Sequence, residues 1–143
     1  MIRLDEAGQL QLPEIFRDVA YVGAHYPGAP GVTGVQEGAN CQLYAYCILR
    51  HFGFRIPDFR SSDLWEDSEH TCAVHDALQI FDLLLWNDRR EAYGAHVGLY
   101  IGNDHAVHLA KSVGTPAVWP MYKFLQMPAY HDFIGAKRCR FKS

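Results

Sequence analysis

The sequence predicts an α+β fold in which N-terminal helices precede a central antiparallel β-sheet and one helix packs on that sheet. Two patterns support this prediction. Apolar residues recur at helical spacing in residues 41–52, and short apolar or alternating runs bounded by turn residues follow from residue 80. The chain has 143 residues, a length typical of one domain, so residues 1–143 are predicted to form a single domain.

Two helices are predicted before the sheet. Residues 12–23, LPEIFRDVAYVG, have Pro13 in the first turn and Gly23 at the end of a short helix. After the turn-rich loop YPGAPGVTG, a second helix begins at Cys41 and ends at Gly53, and its apolar residues fall on one face. The acidic segment RSSDLWEDSEH, which follows, is predicted to be a short solvated helix or a loop.

Four runs predict the strands of the sheet: IFDLLLWN, AHVGLYIG, HAVHLAKS and DFIGAKRCRF. The second and third runs form a hairpin whose register depends on its loop. A three-residue loop over residues 102–104 places His96 and His108 on one face, whereas a two-residue loop separates them. The apolar pattern of the opposite face favours the first register. Before the fourth run, AVWPMYKFLQMP is predicted to be a short helix or an irregular crossover.

The composition excludes some classes of function. A formal charge of −3 and a pI near 6.2 disfavour nucleic-acid binding, and no apolar run approaches the roughly 20 residues of a membrane span. The N-terminal segment carries Asp5 and Glu6 and has no long apolar core, unlike a secretory signal peptide. Four cysteines without a C-x-x-C pair indicate reduced thiols. We therefore expect cytoplasmic synthesis, with any export or delivery by a non-classical route.

The segment GANCQLYAYCILRHFG places Cys41 at the start of a helix, where unpaired N–H groups and the helix dipole favour a thiolate. A thiol nucleophile needs a base, and the base needs a group that orients its other ring nitrogen. Cys41, His96 and His108 are candidates for these three roles. Asn40 is a candidate cap of the helix, and the backbone N–H of Cys41 is a candidate oxyanion donor.

These residues resemble the NlpC-type papain-like cysteine peptidases, which act on bacterial cell-wall peptides. The resemblance rests on Cys41 in ANCQLYAY, His96 in HVGLYIG and His108 in AVHLA, with the two histidines 108 − 96 = 12 residues apart. FDLLLW and FIGAKRCR are similar to further strands of that family. The resemblance implies a papain-like fold, and a thiol hydrolase that cleaves an amide or isopeptide bond in a cell-wall peptide or another small amide substrate, without a cofactor.

The sequence departs from the family beside the nucleophile. Family members commonly have Asp-Cys-Ser-Gly there, and the aspartate and serine help to hold the amino end of the substrate, whereas this chain has Asn40 and Gln42. We expect both residues to contact substrate as neutral groups. The family's tyrosine before the nucleophile is aligned with Tyr26, as a substrate or oxyanion contact, and Gln36 competes for that role.

Other functions stay open at this point. The same three residues would also serve an acyltransferase, and the fold would also suit a non-catalytic binding or tail-assembly module. Eight histidines suggest a metal site, but His105 and His108 lie three apart on a strand and point to opposite faces, so no metal is predicted. Cys47 is predicted to pack in the core, and the oligomeric state is not predicted.

Overall fold

The computed structural model describes residues 2–143. Within these residues, three α-helices and six β-strands follow one another. The helices are α1 (Cys41–His51), α2 (Ser61–Glu66) and α3 (Met121–Leu125), and the strands are β1 (Thr71–Ala73), β2 (Leu83–Asn87), β3 (His96–Gly102), β4 (His105–Leu109), β5 (Pro116–Pro120) and β6 (Asp132–Cys139). Two short 3-10 turns cover Glu14–Phe16 and Pro128–Tyr130.

All six strands form a single antiparallel sheet in the order β1-β6-β2-β3-β4-β5. Helix α1 lies against β3 and β4, and the buried face of this helix forms one core with the inner faces of these strands and β2. A smaller aromatic cluster on the sheet contains Trp86, Trp119 and Phe124. The result is the mixed α/β architecture with a helix on an antiparallel sheet that the sequence predicts.

Local signals at both ends fix helix α1. The Asn40 side chain accepts a hydrogen bond of 2.9 Å from the backbone N–H of Leu43, which satisfies one unpaired donor at the helix start. Gly53 follows the last turn with a φ of 90°, a conformation that favours glycine. The predicted bounds and the predicted cap are therefore confirmed, and Cys41 is the first residue of the helix.

The β3–β4 hairpin combines features of the two predicted loops. Asn103 and Asp104 form a two-residue turn with positive φ angles, so the predicted three-residue loop is wrong. A bulge then shifts the register between Tyr100 and Gly102, because Gly102 pairs with His105 while Tyr100 pairs with Ala106. Because of this bulge, the strands have the register that the predicted three-residue loop would have given, and His96 and His108 lie on the same face.

The predicted helix over residues 12–23 is wrong, since only Glu14–Phe16 forms a 3-10 turn. The chain beyond it is extended because its backbone groups pair with distant segments. The Tyr21 N–H donates to the Gly114 carbonyl at 2.9 Å, and Tyr21 forms a parallel bridge with Ala39. Tertiary pairing has overridden local helix propensity, and it carries Tyr21 to the start of α1.

Two other segments refine the predictions. The segment after β4 contains strand β5 before the short helix α3, so the predicted helix or crossover omitted a strand. Residues Ser61–Glu66 form the predicted short helix, but Ser61 and Leu64 are buried, so one side packs on the protein. Within residues 2–143, no helix is both long and apolar enough to cross a membrane.

Candidate active site

Cys41 lies at the first residue of α1, half-buried, where two depressions of the surface meet. We call them the Arg60 half and the Lys111 half of the cleft, with volumes of about 470 and 320 Å³. Burial raises the pKa of the Cys41 thiol, while the backbone N–H groups of Val97 and Gln42 and the Arg60 guanidinium act in the opposite direction. The thiol is thus accessible from both halves and protonated at rest.

His96 and His108 are directly hydrogen-bonded. Nε2 of His96 lies 2.9 Å from Nδ1 of His108, and the two rings are nearly perpendicular. Strands β3 and β4 bring them together as neighbours on one face, which is the arrangement that the predicted register requires. Because Nε2 of His96 is occupied by His108, Nδ1 is the ring nitrogen that remains for the thiol. His96 also lines the Lys111 half together with Cys41.

His108 is enclosed by aromatic rings. It is 1% exposed, and its ring centroid lies 4.2 Å from that of Trp119 and 4.7 Å from that of Phe124. Its outer nitrogen, Nε2, is buried without a hydrogen-bond partner among residues 2–143. Burial, assisted by the positive charge of Lys123, lowers the pKa of His108 to about 4. His108 is therefore a neutral hydrogen-bonding partner of His96 at physiological pH.

His96 is neutral at rest for a related reason. Burial lowers its pKa to about 3, and the neighbouring His108 adds to the effect. Two aromatic rings lie near its imidazole: that of Tyr130 is stacked on it with centroids 4.6 Å apart, and that of Trp86 is tilted at 6.2 Å. The resting site thus contains a protonated thiol and a neutral imidazole.

The Arg60 half of the cleft contains Asn40, Gln42, Ser61, Ser62 and Tyr93 as well as Arg60. Gln42 is 5% exposed, and its Oε1 is buried without a hydrogen-bond partner among residues 2–143. The Arg60 guanidinium lies 4.7 Å from the ring centroid of Tyr26, and it takes part in no salt bridge within the described chain. This half therefore offers a cation and neutral polar groups.

The residues predicted to bind substrate are distributed over different places. Asn40 and Gln42 line the Arg60 half, as the position beside Cys41 suggested. Tyr26 lies under the Arg60 guanidinium, and Gln36 lines a separate polar pocket with His25 and Glu37. Neither Tyr26 nor Gln36 is among the described residues that line the two halves of the cleft. Tyr26 contacts Arg60, which does line the cleft.

Tyr21 instead occupies the position beside the thiol. It lines the Lys111 half with Cys41, and burial followed by the nearby Cys41 raises the pKa of its phenol. The sequence prediction missed Tyr21 because it assigned this residue to a helix. Tyr130 and Arg60 were also missed, and no local pattern distinguishes them from other surface aromatic or basic residues. Among residues 2–143, no three His, Cys, Asp or Glu side chains are grouped to hold a metal ion.

Comparison with known proteins defines a type of fold. No protein-family model matches the chain, and no curated protein matches it. One solved structure has a similar fold. That structure is an NlpC/P60 family protein from Bacillus cereus ATCC 10987, with a TM-score of 0.58 and 23% sequence identity. The match covers 83% of this chain and 36% of that protein, and at this identity it concerns the fold alone.

Proposed function

We propose that the chain is a cysteine hydrolase that cleaves an amide or isopeptide bond, and that residues 1–143 form its single hydrolase domain. The observation that carries this proposal is the hydrogen bond between His96 and His108, 2.9 Å long, beside a cysteine at a helix start. A histidine that has one ring nitrogen hydrogen-bonded to a second buried group is oriented for proton transfer at its other ring nitrogen. The likeness in fold to the NlpC/P60 family protein from B. cereus agrees with this proposal.

The reaction begins with a proton transfer. Nδ1 of His96 takes the proton of the Cys41 thiol, so the S–H bond breaks, an N–H bond forms, and sulfur keeps the electron pair. The thiolate attacks the substrate carbonyl carbon, and the imidazolium then returns the proton to the leaving amine. Water hydrolyses the resulting thioester with His96 again acting as base. His108 stays neutral throughout and accepts the hydrogen bond from Nε2 of His96.

The negative oxygen of the tetrahedral intermediate needs hydrogen-bond donors. The backbone N–H of Cys41 at the first position of α1 is one donor, since the helix start leaves it without an intrahelical partner. The phenol of Tyr21 is the second donor that we assign, because Tyr21 and Cys41 line the same half of the cleft. The raised pKa of this phenol keeps its proton in place for donation.

The Arg60 half determines which substrates fit. Asn40 and Gln42 are neutral, and Arg60 is positively charged, so a free ammonium group would find no carboxylate in this lining. Arg60 favours a substrate with a carboxylate near the scissile bond, to which a guanidinium can bind with two hydrogen bonds. We therefore propose a cell-wall peptide that carries an acidic residue and whose amino end is blocked or still joined to the glycan.

This proposal implies a small peptide partner and no nucleic acid, consistent with the charge of −3. Transfer of the acyl group to an amine instead of water would use the same residues, and product analysis separates the two reactions.

The decisive experiment is incubation with defined muropeptides, followed by mass spectrometry of the products. We expect one amide bond to be cleaved with incorporation of water, by the natural chain and not by the Cys41→Ala variant. A mass gain that corresponds to a joined amine would identify transfer. Cleavage by Cys41→Ala at more than a few per cent of the natural rate would contradict the assignment of the nucleophile.

A further inference from the structure

Tyr130 covers one flat side of the imidazole that the proposed mechanism uses as a base. It ends the 3-10 turn Pro128–Tyr130, is half-buried, and lines the Lys111 half of the cleft. The Tyr130 and His96 rings are stacked, with centroids 4.6 Å apart and planes inclined by 26°. Trp86 lies 6.2 Å from the same imidazole, inclined by 33°. His96 is thus bordered by one stacked ring, Tyr130, and by one tilted ring, Trp86.

This imidazole must become positively charged when it takes the thiol proton, yet no carboxylate is bound to it within residues 2–143. His108, which holds its Nε2, is neutral. The charged groups around the pair are few. Asp88 and Lys111 line the same half of the cleft, Asp88 is bound to Arg89 at 2.8 Å, and Lys123 acts on His108. Apart from the thiolate that the proton transfer leaves on Cys41, the charge on His96 therefore has no bound anionic group, and a neighbouring aromatic face can add to its stabilisation.

We propose that Tyr130 is a positioning residue that stabilises the imidazolium form of His96 through the π face of its ring. The inference rests on the proposed thiol chemistry of Cys41. An aromatic face carries partial negative charge, and a cation within about 6 Å of the ring centroid is attracted to it. The stacked ring contacts neutral and charged imidazole alike, but this attraction is gained only when the proton arrives. Tyr130 therefore favours the transfer from sulfur to nitrogen.

The stack also fixes the plane of the imidazole. A ring held on its edge by His108 and on its face by Tyr130 is restricted in rotation about its Cβ–Cγ bond, so its free nitrogen, Nδ1, keeps one orientation. The phenol oxygen is not needed for either effect. Phenylalanine at position 130 should consequently replace tyrosine, whereas leucine keeps the apolar volume and loses the π face.

Alkylation of Cys41 by iodoacetamide tests the proposal without a substrate. The full chain and its Tyr130→Phe and Tyr130→Leu variants are alkylated between pH 5 and 9, and mass spectrometry measures each cysteine-containing peptide. Cys72 is exposed and serves as the internal reference. We expect Cys41 of Tyr130→Leu to react about tenfold more slowly at pH 7, equivalent to about 1.4 kcal/mol, with its pH profile shifted upward. Tyr130→Phe should stay within about twofold of the natural chain.

Equal rates for the leucine and phenylalanine variants, with Cys41 reacting rapidly in both, would overturn the role of Tyr130 and leave the proposed function intact. If His96→Ala leaves the alkylation rate of Cys41 unchanged relative to the Cys72 reference, the activation of the thiol by His96 is itself refuted, and this inference with it. Thermal unfolding accompanies each measurement. Should Tyr130→Leu not fold, Tyr130→Met provides the same comparison with a more flexible apolar side chain.

Discussion

Replacing His108 with leucine should separate the stability of the fold from its activity. A leucine side chain can pack against the aromatic rings of Trp119 and Phe124, but it has no atom that can accept the hydrogen bond from Nε2 of His96. Loss of such a supporting partner lowers activity by about 10- to 100-fold. His108→Asn retains a carbonyl oxygen as an acceptor, so we expect it to keep more activity than His108→Leu.

The effect on stability depends on pH. Burial lowers the pKa of His108 to about 4 from an ordinary value of 6.5, so the unfolded chain binds a proton between these values that the folded chain does not. The natural fold therefore loses stability as the pH falls from 6.5 towards 4. Leucine removes this loss. At pH 4.5 the free energy of unfolding of His108→Leu should therefore rise by about 2 to 3 kcal/mol relative to the natural chain. This figure follows from the lowered pKa of His108, because each pKa unit corresponds to about 1.4 kcal/mol.

Near pH 7.5 two opposite effects of the substitution should nearly cancel. Leucine removes the unpartnered buried Nε2 of His108, but it leaves Nε2 of His96 without its partner, and each such group costs about 1 to 3 kcal/mol. Urea unfolding at pH 7.5 and 4.5 measures the change in the free energy of unfolding at each pH, and kcat/KM at pH 7.5 measures the loss of activity. Full activity of His108→Leu would refute the orienting role, and an unchanged difference in stability between the two pH values would refute the neutral, buried state.

Three further predictions concern the cleft. Cys41→Ala should abolish hydrolysis with little change in melting temperature, and Cys41→Ser should be nearly as inactive, because a hydroxyl is a much weaker acid than a thiol; calorimetry and product analysis check both. Because its pKa is low, His96 should stay neutral at pH values well below the usual pKa of a histidine, so the acid limb of the kcat/KM profile should lie below pH 5. An acid limb near pH 6.5 would contradict this assignment. Acetylating the amino end of an acidic test peptide should not lower kcat/KM. Arg60→Gln should lower kcat/KM about tenfold for this peptide and should have little effect on the same peptide with its carboxylate converted to an amide. A hundredfold preference for the free amine would mean that a carboxylate does lie in the Arg60 half of the cleft.

Some features of the site follow from local sequence alone. The helix that begins at Cys41 is fixed by its cap, its apolar face and Gly53, all within 14 residues. The hairpin that brings His96 to His108 is fixed by alternation along two adjacent strands. The predicted loop was wrong and the register was still right, because burial of one face determines the register whereas a bulge can absorb a change in turn length.

Other features depended on contacts between distant parts of the chain. Tyr21 does not lie in the predicted helix because its backbone pairs with Gly114 and Ala39. Gly114 is far from Tyr21 in the sequence, and Ala39 lies beyond a long loop. Tyr130 contacts His96 from a turn that follows strand β5, which the sequence pattern did not predict, and helix α3, which it predicted only as one of two alternatives.

The sequence by itself determined the helix that carries the thiol and the two strands that pair the histidines, because periodicity and capping are properties of neighbouring residues. The tertiary structure alone decided the rest of the site: the aromatic rings around His96 and His108, the phenol of Tyr21 and the cation of Arg60. Their side chains lie on loops and short turns whose paths are set by backbone pairing and burial across the whole domain. No local period encodes such a path, so the environment that sets the pKa values of the two histidines appears only in the folded chain.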